Sequence, residues 1–163
     1  MFPYATISSE IKKPDVLLAG LKAETYQLIV LPYYPDDPAL CTKELQEEYL
    51  LFCVPKSHPF ADRNVVSFSE INGENILLYH DAGFWYDVIH DNLPDSHILL
   101  QTEHYALMEL VESSPQPTFV SNLTLSSFPL DNRVTIPVSD EAASVKYFLV
   151  CRKDQRKKYK SLF

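Results

Sequence analysis

The sequence predicts an α/β fold, and three observations support this prediction. Short apolar runs of strand length alternate along the chain with segments that carry a helix-like apolar stripe. The run from Tyr49 to Val54 lacks polar alternation, which is typical of a strand covered on both faces. Pro55 and Pro59 end that run, because proline cannot donate to a strand ladder. In open α/β sheets ligands bind beyond the carboxyl ends of strands, so the region after such strands is of functional interest.

The first forty residues predict a strand, a helix, a second strand and a loop. Residues 4 to 11 alternate apolar and polar side chains, as in a strand with two unlike faces. Pro14 suits the first turn of a helix, because its fixed backbone angle is already helical. The predicted segments are a strand over residues 4–11, a helix from Pro14 past Leu21, a strand over residues 28–31 stopped by Pro32, and a loop over residues 33–38.

The rest of the chain continues the alternation. Ser67 and Glu70 have the spacing of a capping box around a short helical turn. The predicted strands cover residues 75–79, 98–100, 119–120, 134–138 and 147–151, and the predicted helices cover residues 85–93 and about 102–111. The basic tail after Cys151 predicts a solvated final helix.

The composition predicts an ordinary soluble globular domain. The chain has 163 residues, of which 46% are hydrophobic and 22% are charged. No apolar stretch approaches a membrane span and no basic-then-apolar leader opens the chain, so the expected compartment is the cytosol. Cys41, Cys53 and Cys151 lack the spacing of a zinc site, and we expect free thiols without a disulfide framework.

The charge pattern argues against nucleic acid as a direct partner. The formal net charge is −8, and residues 54 to 123 hold ten Asp or Glu against two Lys or Arg. The basic tail could indicate nucleic-acid binding, but on an acidic body a solvated surface is the favoured interpretation. Only three glycines occur, so neither a dinucleotide-binding turn nor a phosphate-binding loop can be drawn.

Nothing in the sequence predicts catalysis, a metal or a cofactor. Ser67, Ser121, His80 and Asp81 could supply a triad on paper, but no nucleophile-elbow motif surrounds either serine. The five histidines lack the spacing of metal ligands.

Several phrases resemble one known family. They are FPYATISSEI, VLLAGLKAETYQLIVLP, DDPAL, EEYLLFCVP and, most specifically, VPKSHPFADRNVVSFSEINGENILL over residues 54–78. In these phrases the chain is similar to the effector-binding domain of LysR-type transcriptional regulators. The resemblance implies a fold like the type 2 periplasmic binding proteins, with two lobes, two crossing hinge segments and a small-molecule effector in the cleft between the lobes. The implied lobes are residues 1–53 with 124–163 and residues 56–120, and the implied hinges are at Val54, Pro55, Ser121 and Asn122.

The chain departs from the family pattern in three places. Gln27 stands where the family usually has Asp, and SSPQPTF over residues 113–119 replaces a glycine-rich turn, which prolines cannot copy. Family members also have a winged helix-turn-helix, a linker helix and a first strand and helix before the position of Phe2. We therefore expect that these parts are lacking here, because the sequence begins late or the gene product is shortened.

The resemblance implies that the effector contacts strand ends and loops in both lobes. The lysine candidates could equally belong to a solvated turn. Aromatic residues at positions 79 and 84–86 could pave a pocket for a ring or a cation, but such clusters are more often core. The charge of the effector is left open. The candidate residues are Lys12, Lys13, Pro32, Tyr33, Tyr79, His80, Asp81 and Phe119.

The leading hypothesis is the ligand-sensing domain of a LysR-type regulator. It would respond by lobe closure, assemble as a homodimer or higher homo-oligomer, and contact DNA only through an amino-terminal domain absent from this sequence. The alternatives are a standalone solute-binding or interaction protein of the same fold and, less favoured, an enzyme such as a prephenate-dehydratase-like lyase, whose T-R-F signature the sequence lacks.

Overall fold

The computed structural model describes residues 6–128 and 131–163 and confirms the α/β class. The helices are α1 (Pro14–Lys22), α2 (Phe68–Ile71), α3 (Phe84–Asn92) and α4 (His104–Ser113), and short 3-10 turns cover Leu125–Ser127, Glu141–Ala143 and Lys153–Gln155. The strands are β1 (Ile29–Leu31), β2 (Leu40–Pro55), β3 (Asn75–Tyr79), β4 (His97–Gln101), β5 (Thr118–Ser121), β6 (Arg133–Pro137) and β7 (Ser144–Arg152).

Internal contacts divide the chain into two compact units. The first unit holds residues 1–47 and 145–163, and the second holds residues 48–144. The four predicted hinge residues, at positions 54, 55, 121 and 122, all lie inside the second unit. The lobe boundaries and hinge roles inferred from the family therefore stay predictions.

The first unit packs α1 against a small antiparallel sheet. Strand β7 pairs with β1 on one side and adjoins the first part of β2 on the other. Helix α1 begins with proline at its first turn, as predicted, and its Leu21 is fully buried. The ring of Tyr26 lies directly against Gly20, where no side chain would fit. The cluster around Leu21 comprises Ile29, Leu31, Leu40 and Val150.

The second unit is a mixed sheet with helices on it. The later part of β2 pairs antiparallel with β5 on one side and with β6 on the other. Strand β3 runs parallel to both β5 and β4. The residues from Leu50 to Val54 are all buried, as the apolar run predicts, because both faces of β2 are covered. Leu51 and Cys53 pack with Val120 on one face, and the ring of Phe52 packs with those of Phe60 and Phe119 on the other.

Three sequence predictions need correction. Residues 6–11 do not form the predicted strand, since Ile7 is 88% and Ile11 98% exposed and neither buries the apolar face that would stabilise a strand; residues 4 and 5 lie outside the described residues. The basic tail forms a 3-10 turn and further turns rather than a helix, because it has no apolar stripe. Strand β2 starts at Leu40, well before the apolar run. Its first half is polar and exposed, and it is a strand because it adjoins β7.

Candidate functional site

The parallel strands β3 and β4 end together, and the helices that follow them start from the same edge of the sheet. Tyr79 at the end of β3 is in register with Gln101 at the end of β4. The backbone N–H of His80 donates to the carbonyl of Gln101 at 2.9 Å, which holds the two ends together. Carboxyl ends of parallel strands are where open α/β sheets bind ligands. We call the carboxyl ends of β3 and β4, with residues 80–83 and 102–104, the β3–β4 edge.

Three ring side chains meet at this edge. The ring of Tyr79 is half-buried against the core, and the imidazoles of His80 and His104 lie at 5.0 and 5.7 Å from it. Both pairs meet nearly at right angles, at 82° and 90°, the edge-to-face geometry that aromatic pairs prefer. His80 and His104 are exposed, so the edge presents hydrogen-bonding imidazoles beside an aromatic surface.

Gly83 shapes the start of α3 at this edge. It is the N-cap residue and has φ +58 and ψ −131, a conformation that residues with a side chain rarely adopt. The N–H groups of Trp85 and Tyr86 donate to the carbonyls of Ala82 and Gly83. Glycine therefore lets the chain turn sharply from the strand end into the helix.

Trp85 carries a hydrogen-bond donor without an acceptor. The residue is only 8% exposed, and its indole Nε1 has no partner among the described residues. Leaving a buried donor unpaired costs roughly 1–3 kcal/mol, and such groups in native proteins call for an explanation. Because the Nε1 atom is also shielded from the surface, a bound molecule would reach it only after the surrounding side chains move.

The electrostatic environment of the second unit is acidic. Residues 64 to 132 contain no Lys or Arg and ten Asp or Glu. Of the candidate residues at the β3–β4 edge, Asp81 carries a negative charge and is exposed. The sequence neighbourhood of this edge thus offers no permanent cation to an anionic ligand.

The candidate residues of the first unit lie at the ends of α1 and β1. Lys12 forms an ion pair with Glu10 at 3.5 Å, and the carbonyl of Lys13 accepts the first helical hydrogen bond, from Leu17. Pro32 is half-buried and Tyr33 is 43% exposed, directly after β1. The surroundings of the two lysines match the solvated turn that we considered as the alternative.

The side chain of Phe119 is part of the core. It is 6% exposed, and its ring lies 5.3 Å from that of Phe52 and 6.2 Å from that of Phe68. A role of Phe119 in effector contact stays a prediction, and the packing of its ring within the second unit does not favour it.

Sequence reasoning missed Arg133, which organises the loop before β5. Arg133 is 6% exposed, and its guanidinium donates to the carbonyls of Val111, Ser114, Gln116 and Cys53. It thereby caps the end of α4 and fixes the proline-containing segment that replaces the family's glycine-rich turn. The only available signal was an arginine at the start of an apolar strand in a stretch without other cations.

Of the predicted hinge residues, Asn122 makes the most informative contacts. Its side-chain oxygen accepts from the N–H of Tyr49 at 2.9 Å, and its own N–H donates to the carbonyl of Tyr49 at 3.2 Å. Ser121 is buried and its N–H donates to the hydroxyl of Thr124. These bonds fix the end of β5 onto β2.

The described residues contain no cluster of three or more His, Cys, Asp or Glu side chains placed to hold a metal ion. Within the same residues, every helix is too short or too polar to cross a membrane.

Comparisons with known proteins identify related domains. Residues 1–161 match the family described as LysR substrate binding domain. The chain resembles the reduced OxyR regulatory domain of Pseudomonas aeruginosa (TM-score 0.65, 14% identity, 91% of this chain and 75% of that one). It also resembles the BenM effector-binding domain with its effector benzoate (TM-score 0.61, 21% identity, 92% and 78%).

A third structure gives the scale of a whole regulator. The chain covers 55% of full-length CbnR in complex with its target DNA (TM-score 0.61, 16% identity, 93% of this chain). These identities are low, so the structural matches show a shared fold. No match is found among curated proteins.

Proposed function

The chain belongs to the LysR substrate-binding domain family, and we propose that it senses a small-molecule effector for a LysR-type transcription regulator. The observation that carries this proposal is the family match over residues 1–161. Its family and fold relatives are regulatory domains, not enzymes, and we infer that the chain itself is not catalytic.

The proposal extends to the partners of the whole protein. The effector would bind between the two lobes that the family implies, and the domain would work as a homo-oligomer in the cytosol. DNA would be contacted by a separate amino-terminal domain, as the size of the DNA-bound relative suggests, since this chain spans about half of it. Effector binding would act on DNA by favouring one arrangement of the oligomer over another.

For this chain we infer an effector with a ring and without a negative charge. The β3–β4 edge offers the ring of Tyr79 and two exposed imidazoles. These groups can pack against a ligand ring, and a neutral imidazole can accept a hydrogen bond from a cationic group. With no Lys or Arg between residues 64 and 132, a carboxylate would find acidic neighbours rather than a counter-ion.

A series of ligands with the same ring tests two proposals: that the chain binds a small molecule, and that this molecule carries no negative charge. Benzylamine, benzyl alcohol and benzoate share a phenyl ring and differ in charge, and each would be titrated while the melting temperature is followed. We expect the melting temperature to rise with benzylamine or benzyl alcohol and to stay unchanged with benzoate, because only a bound ligand stabilises the native state.

Two separate single-histidine variants test whether the ligand binds at the β3–β4 edge. His104→Ala removes an imidazole beside Tyr79, whereas His97→Ala removes an exposed imidazole at the opposite end of β4. The first variant should weaken any shift and the second should leave it intact. A shift with benzoate alone would overturn the inferred ligand charge. A folded protein that responds to no member of a broad metabolite collection would overturn the sensing function itself.

A further inference from the structure

Two cysteines of the first unit lie opposite each other on neighbouring strands. The N–H of Lys153, just past β7, donates to the carbonyl of Ala39, just before β2. Because this bond joins the end of one strand to the start of its neighbour, the two strands run antiparallel. In an antiparallel pair, a step back along one strand is matched by a step forward along the other. Two residues back from Lys153 is Cys151 and two residues on from Ala39 is Cys41, so the register places these cysteines directly opposite each other.

That register gives the spacing of a disulfide. Directly opposed residues of an antiparallel pair project to the same face of the sheet, with Cα atoms about 4.5–5.5 Å apart. Disulfides span Cα separations of about 4.4–6.8 Å. The Cα spacing of the two strands is therefore compatible with a disulfide between these residues.

The two thiols differ in access. Cys41 is half-buried, whereas Cys151 is fully buried, and both are free. Burial raises the pKa of Cys151, and the neighbouring Cys41 raises it further. Cys53, the remaining cysteine, is buried in the second unit and is opposed by Thr118 and Thr135. Cys41 is thus the thiol that a small oxidant reaches first.

We propose that Cys41 and Cys151 form a reversible disulfide when the protein meets a low-molecular-weight disulfide such as oxidised glutathione. The thiolate of Cys41 attacks one sulfur of oxidised glutathione, which forms a mixed disulfide and releases one reduced glutathione. The thiolate of Cys151 then attacks Cys41 Sγ, which forms the internal bond and releases the second glutathione. The two thiol protons leave with the two glutathione molecules, so protein oxidation balances glutathione reduction.

The proposed bond would join the two strands through which the chain passes between the units. The chain passes from one unit to the other between residues 47 and 48 and between residues 144 and 145, which lie within β2 and at the start of β7. The disulfide would fasten together the two strands that make both passages. We therefore assign a redox modification site to this pair of cysteines.

The test is oxidation of the folded protein with oxidised glutathione, followed by thiol counting and by mapping of peptides without reductant. We expect accessible thiols measured after denaturation to fall from three to one, and a peptide that links Cys41 to Cys151. The melting temperature should rise and should return on reduction, because the bond restricts the unfolded chain. An unchanged count of three thiols would overturn the proposal.

Variants separate this bond from other outcomes. Cys151→Ser should stop at the mixed disulfide, with one glutathione on Cys41, and Cys41→Ser should keep both of its thiols. Cys53→Ser should form the internal bond as the native protein does. Because the second step needs the Cys151 thiolate, whose pKa is raised, the mixed disulfide should persist longer as the pH is lowered. A bond that involves Cys53, or one between two chains, would contradict the proposal.

Discussion

Arg133 is a buried cation that donates hydrogen bonds to four backbone carbonyls. Its guanidinium gathers the end of α4, the segment after it and β2 around one side chain. Five donors in a fixed planar fork allow this, and a lysine ammonium with three donors could not copy it. Burial lowers the pKa of Arg133, yet an arginine remains protonated at neutral pH.

Replacing Arg133 by methionine should strongly destabilise the protein. The variant leaves several buried carbonyls unpaired, so the free energy of unfolding should fall by about 3 kcal/mol. Arg133→Lys should lose a smaller part of the free energy of unfolding, since lysine keeps the positive charge but lacks the planar guanidinium. Urea unfolding followed by fluorescence measures both, and Arg156→Met, at an exposed arginine, is the control. A change no larger than in the control would show that the carbonyls are satisfied in another way.

Single residues also show why the site was only partly predictable from sequence. The aromatic and histidine residues after β3 were identified because a strand end is recognisable from its apolar run. His104 and the unpaired Trp85 Nε1 need the register of β3 with β4 and the packing of α3, which no local pattern encodes. Phe119 could not be assigned to core or cleft, since aromatic rings serve both.

At the scale of elements, the start of α2 shows a local pattern that predicts its own structure. The hydroxyl of Ser67 accepts from the N–H of Glu70, and the carboxylate of Glu70 accepts from the N–H of Ser67. Arg63 also bonds to that carboxylate. The pKa of Glu70 is lowered, first by the hydrogen bond from Arg63 and then by the bonds from Ser67.

Removing this cap should have a moderate cost that depends on pH. Ser67→Ala should lower the free energy of unfolding by about 1 kcal/mol at neutral pH. Since the folded pKa of Glu70 lies below its unfolded value of 4.5, its contribution is present above that pH and is lost as the pH falls through the folded pKa.

The difference in urea midpoint between the native protein and Glu70→Gln should therefore shrink between neutral pH and pH values below 4.5. Glu112→Gln, at an exposed glutamate on α4, serves as the control. A difference that stays constant on acidification would show that the carboxylate makes no pH-dependent contribution.

Elements with their own local signals were predicted well, and those that need a partner were not. The strand at residues 75–79 and the helix ended by Pro94 carry their own boundaries in turn residues and apolar spacing. The alternation over residues 6–11 is an equally good strand pattern, but a strand also needs a neighbour to bond with. The exposed first half of β2 shows the converse, because pairing with β7 extends a strand through polar residues.

At the scale of the whole molecule, charge separates this chain from direct DNA recognition. Twenty-two acidic residues outnumber fourteen basic ones, and six of the basic residues fall between positions 152 and 160. Arg152 pairs with Glu24 and Asp154, and Lys158 lies over the ring of Tyr159, so part of the tail is engaged within the first unit. The remaining basic groups act within the field of a body whose net charge is −8.

We therefore expect this chain by itself to bind duplex DNA more weakly than about 100 μM at physiological salt, the weak end of non-specific binding. Fluorescence anisotropy with a labelled random duplex measures this, and a repeat at low salt gives the number of phosphate contacts from the slope against salt concentration. Tight binding that Lys157→Glu abolishes would identify the tail as a phosphate-binding surface. In that case the basic tail would have to be counted as a DNA contact of its own, because local clustering of positive charge would have outweighed the net repulsion.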